Sequence, residues 1–314
     1  MTPKAIRLLV LTLSLILFGA AQASAQGVPI YNNIPNPLPG NLPSVGYEAS
    51  FSSEFGDRVT FAPSTGRGVT TVVQTMSSWG CESGHWYSFD CVTTPGATFS
   101  HSVTLNIYNV GPGNQPGALL GSVTQTFAIP YRPSADIINC NGGNAGKWFD
   151  AASGTCFNGK AVNITFDLRS LHLTLPNQVI FGIAYNTSHA GYNPIGDNTT
   201  CFTSSGGCGY DSLNVATADP ASSLSVGGNP APDDAYFNDN YGFNYCDGGA
   251  GGVNVFRLDA GCWTGFKPAT MFNAANPPAT KDDCKGDGWK TRTNGAGQTF
   301  PNQGQCVQYF NTGK

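Results

Sequence analysis

Charge is scarce in this chain. Lys, Arg, Asp and Glu together make 11% of 314 residues, and the only glutamates are Glu48, Glu54 and Glu82. Long helices draw on Ala, Leu, Glu, Lys and Arg, so this shortage disfavours them. No basic cluster relieves a formal charge of −4, which argues against nucleic acid or an anionic membrane surface as partner. The recognisable catalytic signatures are missing too: no Gly-x-Ser-x-Gly elbow, no His-Glu-x-x-His, no Walker loop and no dinucleotide fingerprint. No Cys-x-x-Cys pair occurs and the four His are scattered, so zinc has no ligand set at the usual spacing. No internal repeat is present, which sets a propeller or β-helix aside.

What the chain has in quantity is Gly and Pro, 40 and 21 residues. With 40% apolar residues, that balance describes many short strands joined by turns around a real core, unlike a disordered chain. Residues 1–25 read as a signal peptide: Lys4 and Arg7 precede an apolar run from Leu8 to Phe18, and Ala23-Ser24-Ala25 offers a small-x-small cleavage site. That run is shorter than the roughly 20 residues a membrane span needs, and no later stretch is long enough. A secreted, extracellular or cell-surface protein is expected. All ten cysteines follow the leader, and in an exported chain an even number predicts disulfides. Their positions suggest nearest-neighbour pairing: Cys81–Cys91, Cys140–Cys156, Cys201–Cys208, Cys246–Cys262 and Cys284–Cys306.

The strongest strand signal lies in residues 99–129. Val103, Leu105 and Ile107 alternate with Thr104, Asn106 and Tyr108, a Gly/Pro-rich turn follows, and Val123, Phe127 and Ile129 resume the pattern. Two antiparallel neighbours are predicted. Other strands are expected at Phe51–Phe61 (with Glu54, Asp57 and Arg58 exposed), Val69–Trp79, Val162–Leu168, Val179–Tyr185, around Leu213 and Val215, at Val253–Leu258 and at Ala269–Phe272. Leu171, Leu173 and Leu175 read as an extension of the edge. Such spacing without helical periodicity indicates an all-β, antiparallel, jelly-roll-like β-sandwich over residues 51–275. Residues 26–50, with five Pro, form a lead-in that either lies along the sandwich or is loosely ordered. After a linker at 276–280, residues 281–314 form a small C-terminal appendage, stapled by Cys284–Cys306 because so short a segment rarely folds unaided.

Two clusters carry chemistry. Trp79, His85, Trp86 and Tyr87 crowd the first cysteine loop; flat rings stack on sugar faces, and the competing reading is that they pack beneath the loop. Asp233, Asp234 and Asp239 form the densest oxygen-rich patch, suited to a structural calcium ion or to an ordinary solvated turn. No other cofactor is expected. Glycoside hydrolysis needs two carboxylates flanking a cleft, and most of the Asp residues sit beside Gly, Asn or Pro, where a carboxylate caps a turn.

Met76-Ser77-Ser78-Trp79-Gly80-Cys81, Thr124–Pro133 and Ser212-Leu213-Asn214-Val215 together resemble a group of uncharacterised secreted bacterial jelly-roll proteins. The tail, Lys281–Lys285 and Asn302–Val307, is similar to a short cysteine-paired C-terminal module of exported proteins from Actinobacteria and related groups. The resemblance implies export and a sandwich fold but no catalytic residue. The function expected is that of a non-catalytic surface or matrix protein binding a glycan or a cell-surface protein. The alternative is a secreted polysaccharide hydrolase or lyase.

Overall fold

The computed structural model describes residues 27–63, 66–84, 86, 88–185 and 213–314. The expected signal peptide, His85, Tyr87 and the expected Cys201–Cys208 bridge lie outside them. Fifteen strands are present: β1 (Val28–Asn32), β2 (Ser44–Val45), β3 (Ser52–Thr60), β4 (Val69–Ser78), β5 (Thr98–Val110), β6 (Pro116–Pro130), β7 (Trp148–Asp150), β8 (Thr155–Phe157), β9 (Lys160–Asp167), β10 (Gln178–Ala184), β11 (Leu213–Ala218), β12 (Asp234–Asp239), β13 (Arg257–Ala260), β14 (Lys267–Pro268) and β15 (Thr270–Ala274). One antiparallel sheet runs β13-β12-β3-β10-β5-β6. The other is centred on β4, with β9 along one edge and β15 then β11 along the second. β1 pairs with β15, while β2 and β14 pair with β11. β5–β6, β7–β8 and β12–β13 are hairpins, and β1 with β2 and β14 with β15 stay in one sheet; the other connections pass between the two sheets. This is the winding of a jelly-roll sandwich, as the turn spacing predicts.

Alternation explains the core. Val103, Leu105 and Ile107 of β5, Phe55 and Val59 of β3, Phe181 and Ile183 of β10, and Phe166 of β9 all face inward and are buried. Phe181 and Phe272 meet edge to face across the sheets at 5.3 Å, each contributing about 2–3 kcal/mol by burial. Every residue of β4 is buried, because its outer face is covered as well: Ile34, Leu38 and Leu42 of the lead-in pack over Val73, Ala218, Ala269 and Met271. The lead-in thus lies along the sandwich, and β4 has no solvent face on which to alternate.

Three strand expectations change. Glu54 and Asp57 are buried rather than exposed. Asp57 shares the inward register of Phe55 and Val59, and Glu54 is covered on the outer face. Leu171 ends a short 3-10 turn instead of extending an edge. The last strand of the six-stranded sheet begins at Arg257, not Val253, because Gly-rich residues 248–252 form turns.

Four disulfides follow the nearest-neighbour pattern: Cys81–Cys91, Cys140–Cys156, Cys246–Cys262 and Cys284–Cys306. The tail has its own small core of Cys284, Cys306 and Phe300, with Trp289, Val307 and Tyr309 against it. It includes a helix, Gln303–Thr312, that composition did not signal. Asn302 caps its start by accepting from Gln305 N–H at 2.9 Å, and Gly313 ends it in the left-handed region. No helix among the described residues is long and apolar enough to cross a membrane.

Candidate functional site

Trp79 follows directly on β4 and is held at the sandwich rim by a polar relay. Its indole N–H donates to Ser77 Oγ at 3.0 Å, and that hydroxyl donates to Asn41 Oδ1 at 2.7 Å. Gly159 lies flush against the indole: a Cβ there would sit 2.6 Å from Trp79 Nε1. Trp86, from the loop closed by Cys81–Cys91, meets Trp79 edge to face at 4.8 Å. Both rings are partly exposed. The sequence cluster is therefore a real pair, and neither ring is fully packed beneath the loop.

A third tryptophan lines a cavity with Trp79, and sequence reasoning missed it. Trp263 follows Cys262 and packs against Phe55 and Phe237 at 5.1 and 5.2 Å. Its N–H donates to Asp259 Oδ2 at 2.7 Å. Asp259 is buried and also accepts from Cys246 N–H at 2.9 Å. Burial raises its pKa, while the Trp263 and Cys246 donors pull it back. The carboxylate thus works as a clamp on the indole and on the disulfide loop beside it. The available signal was a Trp directly after a disulfide cysteine.

Between the two indoles opens a cavity of about 400 Å³, lined also by Ser44, Ser50, Asn214 and Asn244. On the far side of Trp79 lies a second, of about 390 Å³, lined by Asn41, Phe157, Asn158 and Lys147. Ser44 and Trp79 border both, so the two form one groove with an indole ridge across it. The amides are fixed in place. Asn244 Nδ2 donates to Ser50 O at 2.8 Å and to Asp239 Oδ1 at 2.9 Å, and Asn214 Nδ2 donates to Ser44 Oγ at 3.1 Å. Rings with side-chain amides suit a polyhydroxylated ligand, apolar on its faces and polar at its edges.

Among the described residues no carboxylate lines either cavity, and glycoside hydrolysis runs on an acid pair. Glu82 is partly exposed, and its carboxylate is held below the usual range by the Thr94 N–H. Glu54 lies on the outer face of the six-stranded sheet, accepting from Asn106 Nδ2 at 2.9 Å and Tyr108 OH at 3.1 Å. Burial raises its pKa.

The aspartate patch does not assemble. Asp234 and Asp239 are the first and last residues of β12, and each end is engaged locally. Asp239 accepts from Ser52 Oγ at 2.7 Å and Asn244 Nδ2 at 2.9 Å, while Asp233 takes the Thr264 hydroxyl at 2.5 Å. A cation cannot bridge carboxylates at opposite ends of a strand. The one ligand-like cluster among the described residues is Cys246, Asp259 and Cys262, where both sulfurs are bonded to each other.

Comparison with family models, with curated proteins and with solved structures gives no match for this chain.

Proposed function

We propose that this is an exported, non-catalytic, glycan-binding protein whose groove takes a neutral polysaccharide chain across the Trp79 ridge. The observation that carries the reading is the placement of two partly exposed indoles, Trp79 and Trp263, around a cavity edged by fixed Asn and Ser groups and, among the described residues, by no carboxylate. Among the described residues Lys147 is the one charged residue lining either cavity, and its amine donates to Asn144 Oδ1 at 2.9 Å, so the lining is mainly rings, amides and hydroxyls. Export is supported by the leader pattern and by four disulfides, three closing loops of the sandwich and one stapling the tail. This is also the setting implied by the resemblance to secreted bacterial jelly-roll proteins.

The test is affinity gel electrophoresis of the oxidised protein on a panel of neutral and acidic polysaccharides. Retardation by a neutral polymer is expected, weakened by Trp79→Ala, with no release of reducing sugar. Absence of retardation by any polymer contradicts the proposal. Release of reducing or unsaturated sugar would instead favour a hydrolase or lyase.

A further inference from the structure

Lys267 and Asp57 meet in the interior of the sandwich from opposite sheets, Lys267 on β14 and Asp57 on β3. Their side chains are 0% and 2% exposed, and Lys267 Nζ lies 3.9 Å from Asp57 Oδ1. As an ion pair this arrangement is poor. Two buried charges repay their desolvation only with close contact and a full set of hydrogen bonds, and this pair has neither. The amine has one hydrogen-bond acceptor, Ala231 O at 3.2 Å. Near them the buried Tyr31 hydroxyl has no hydrogen-bond partner, and the Asp57 charge reinforces the rise in its pKa that burial causes.

The surroundings penalise both charged forms, with each partner's charge offsetting part of the other's penalty. Burial pushes Asp57 up to about 7, and desolvation lowers Lys267. Transfer of one proton from ammonium to carboxylate leaves a neutral amine facing a carboxylic acid, the two forms from which an amide is made. The hydrogen bonds are also suitably divided. Asn229 Nδ2 donates to Asp57 Oδ2 at 2.9 Å and is itself fixed by Ala231 N–H donating to its Oδ1 at 3.1 Å. Oδ2 is therefore the oxygen prepared to carry negative charge in a tetrahedral intermediate. Oδ1 is the oxygen on the lysine side, and the Arg58 backbone N–H is a second donor to the carboxylate.

We propose that Lys267 and Asp57 condense into an intramolecular amide that ties the two sheets together across the core. Nζ attacks Cγ of the protonated carboxyl, and charge gathers on Oδ2 against the Asn229 donor. Oδ1 departs as water, carrying its own hydrogen and one from the nitrogen. One C–N bond forms, one C–O bond breaks, and no oxidant or cofactor is involved. Enclosure supplies the driving force. Effective molarities of well-placed groups reach about 10⁵–10⁸ M, and a buried amide avoids the desolvation of two ions. The 3.9 Å separates Nζ from Oδ1; attack needs Nζ within about 3–3.5 Å of Cγ, an approach made by torsion of the four-carbon lysine stem.

The experiment is intact-mass measurement of the purified mature protein after reduction and alkylation, followed by protease mapping. The expected result is a mass lighter by one water and a branched peptide joining the Asp57 and Lys267 segments. Lys267→Met should lose the branch and the mass deficit together. An unmodified mass overturns the proposal. So does a water loss that maps to the Asp247–Gly248 or Asp287–Gly288 step, or a branch that carries Asn229 in place of Asp57. The measurement is made on the wild-type chain, so it does not depend on a variant that folds, and its outcome is independent of glycan binding.

Discussion

The tightest contact between strands gives the sharpest test of the fold. Gly56 of β3 faces Gly182 of β10, and a Cβ on Gly56 would lie 1.7 Å from the Phe181 carbonyl oxygen and 2.9 Å from Gly182 Cα. Both obstacles are backbone. Ordinary contact begins at 3.4 Å, so Gly56→Ala forces β3 and β10 apart by about 1.7 Å, enough to break well-formed ladder hydrogen bonds. Losing two or three of them at about 1 kcal/mol each, with looser Phe55 and Phe181 packing, gives a loss of about 3–5 kcal/mol. That is a large share of the roughly 5–15 kcal/mol a domain holds. Gly182→Ala is different in kind, because its Cβ would meet the Glu54 carboxylate oxygen at 2.2 Å, the end of a side chain that can turn away. It should cost about 1–2 kcal/mol, and Glu54→Ala should recover part of that in a double-mutant cycle. Urea unfolding followed by tryptophan fluorescence measures all five proteins, wild type included. A Gly56→Ala variant within about 1 kcal/mol of wild type, or one milder than Gly182→Ala, refutes the reasoning.

Glu54 also sets a pH dependence. Burial raises its folded pKa above the ordinary 4.5, so its contribution to stability is fully present below that value and is lost as pH rises through the folded pKa. Glu54→Gln should therefore match wild type near pH 4 and exceed it near pH 8 in thermal melts; equal melting at both pH values counts against the assignment. Phe272→Ala removes the ring shared by Tyr31, Phe61 and Phe181 and should cost about 3–5 kcal/mol in the same urea titration. Replacing Cys284 and Cys306 by Ser removes a staple worth about 2–4 kcal/mol to the small tail; limited proteolysis should then cut within residues 281–314 first and leave the sandwich whole. Trp79→Ala should weaken glycan binding by roughly 30-fold, the equivalent of about 2 kcal/mol for a central aromatic anchor.

Period-two alternation was readable where a strand has one wet face. Val103, Leu105 and Ile107, and Ile164 with Phe166, were placed correctly for that reason. It failed where both faces are covered, as in β4 beneath the lead-in, and where charge was taken as a sign of exposure. Asp57 stands in step with Phe55 and Val59, so the alternation itself pointed inward, and only a partner 210 residues later makes that position tolerable. The cysteine spacing was readable because each bridge closes a short loop. The candidate groove was half legible. Trp79 and Trp86 are neighbours in sequence, but Trp263, Asn214 and Asn244 reach the same cavity only through β11 and the Cys246–Cys262 loop. The three aspartates looked close because a strand's extension is invisible in a row of letters.

The groove itself is tested most directly by the indole N–H signals of the five tryptophans in a nitrogen–proton correlation spectrum, titrated with short oligosaccharides of neutral polymers. The account predicts that the Trp79 and Trp263 signals shift together and saturate while Trp289, in the C-terminal tail, stays fixed. Stationary Trp79 and Trp263 signals, or a shift confined to Trp289, would contradict it.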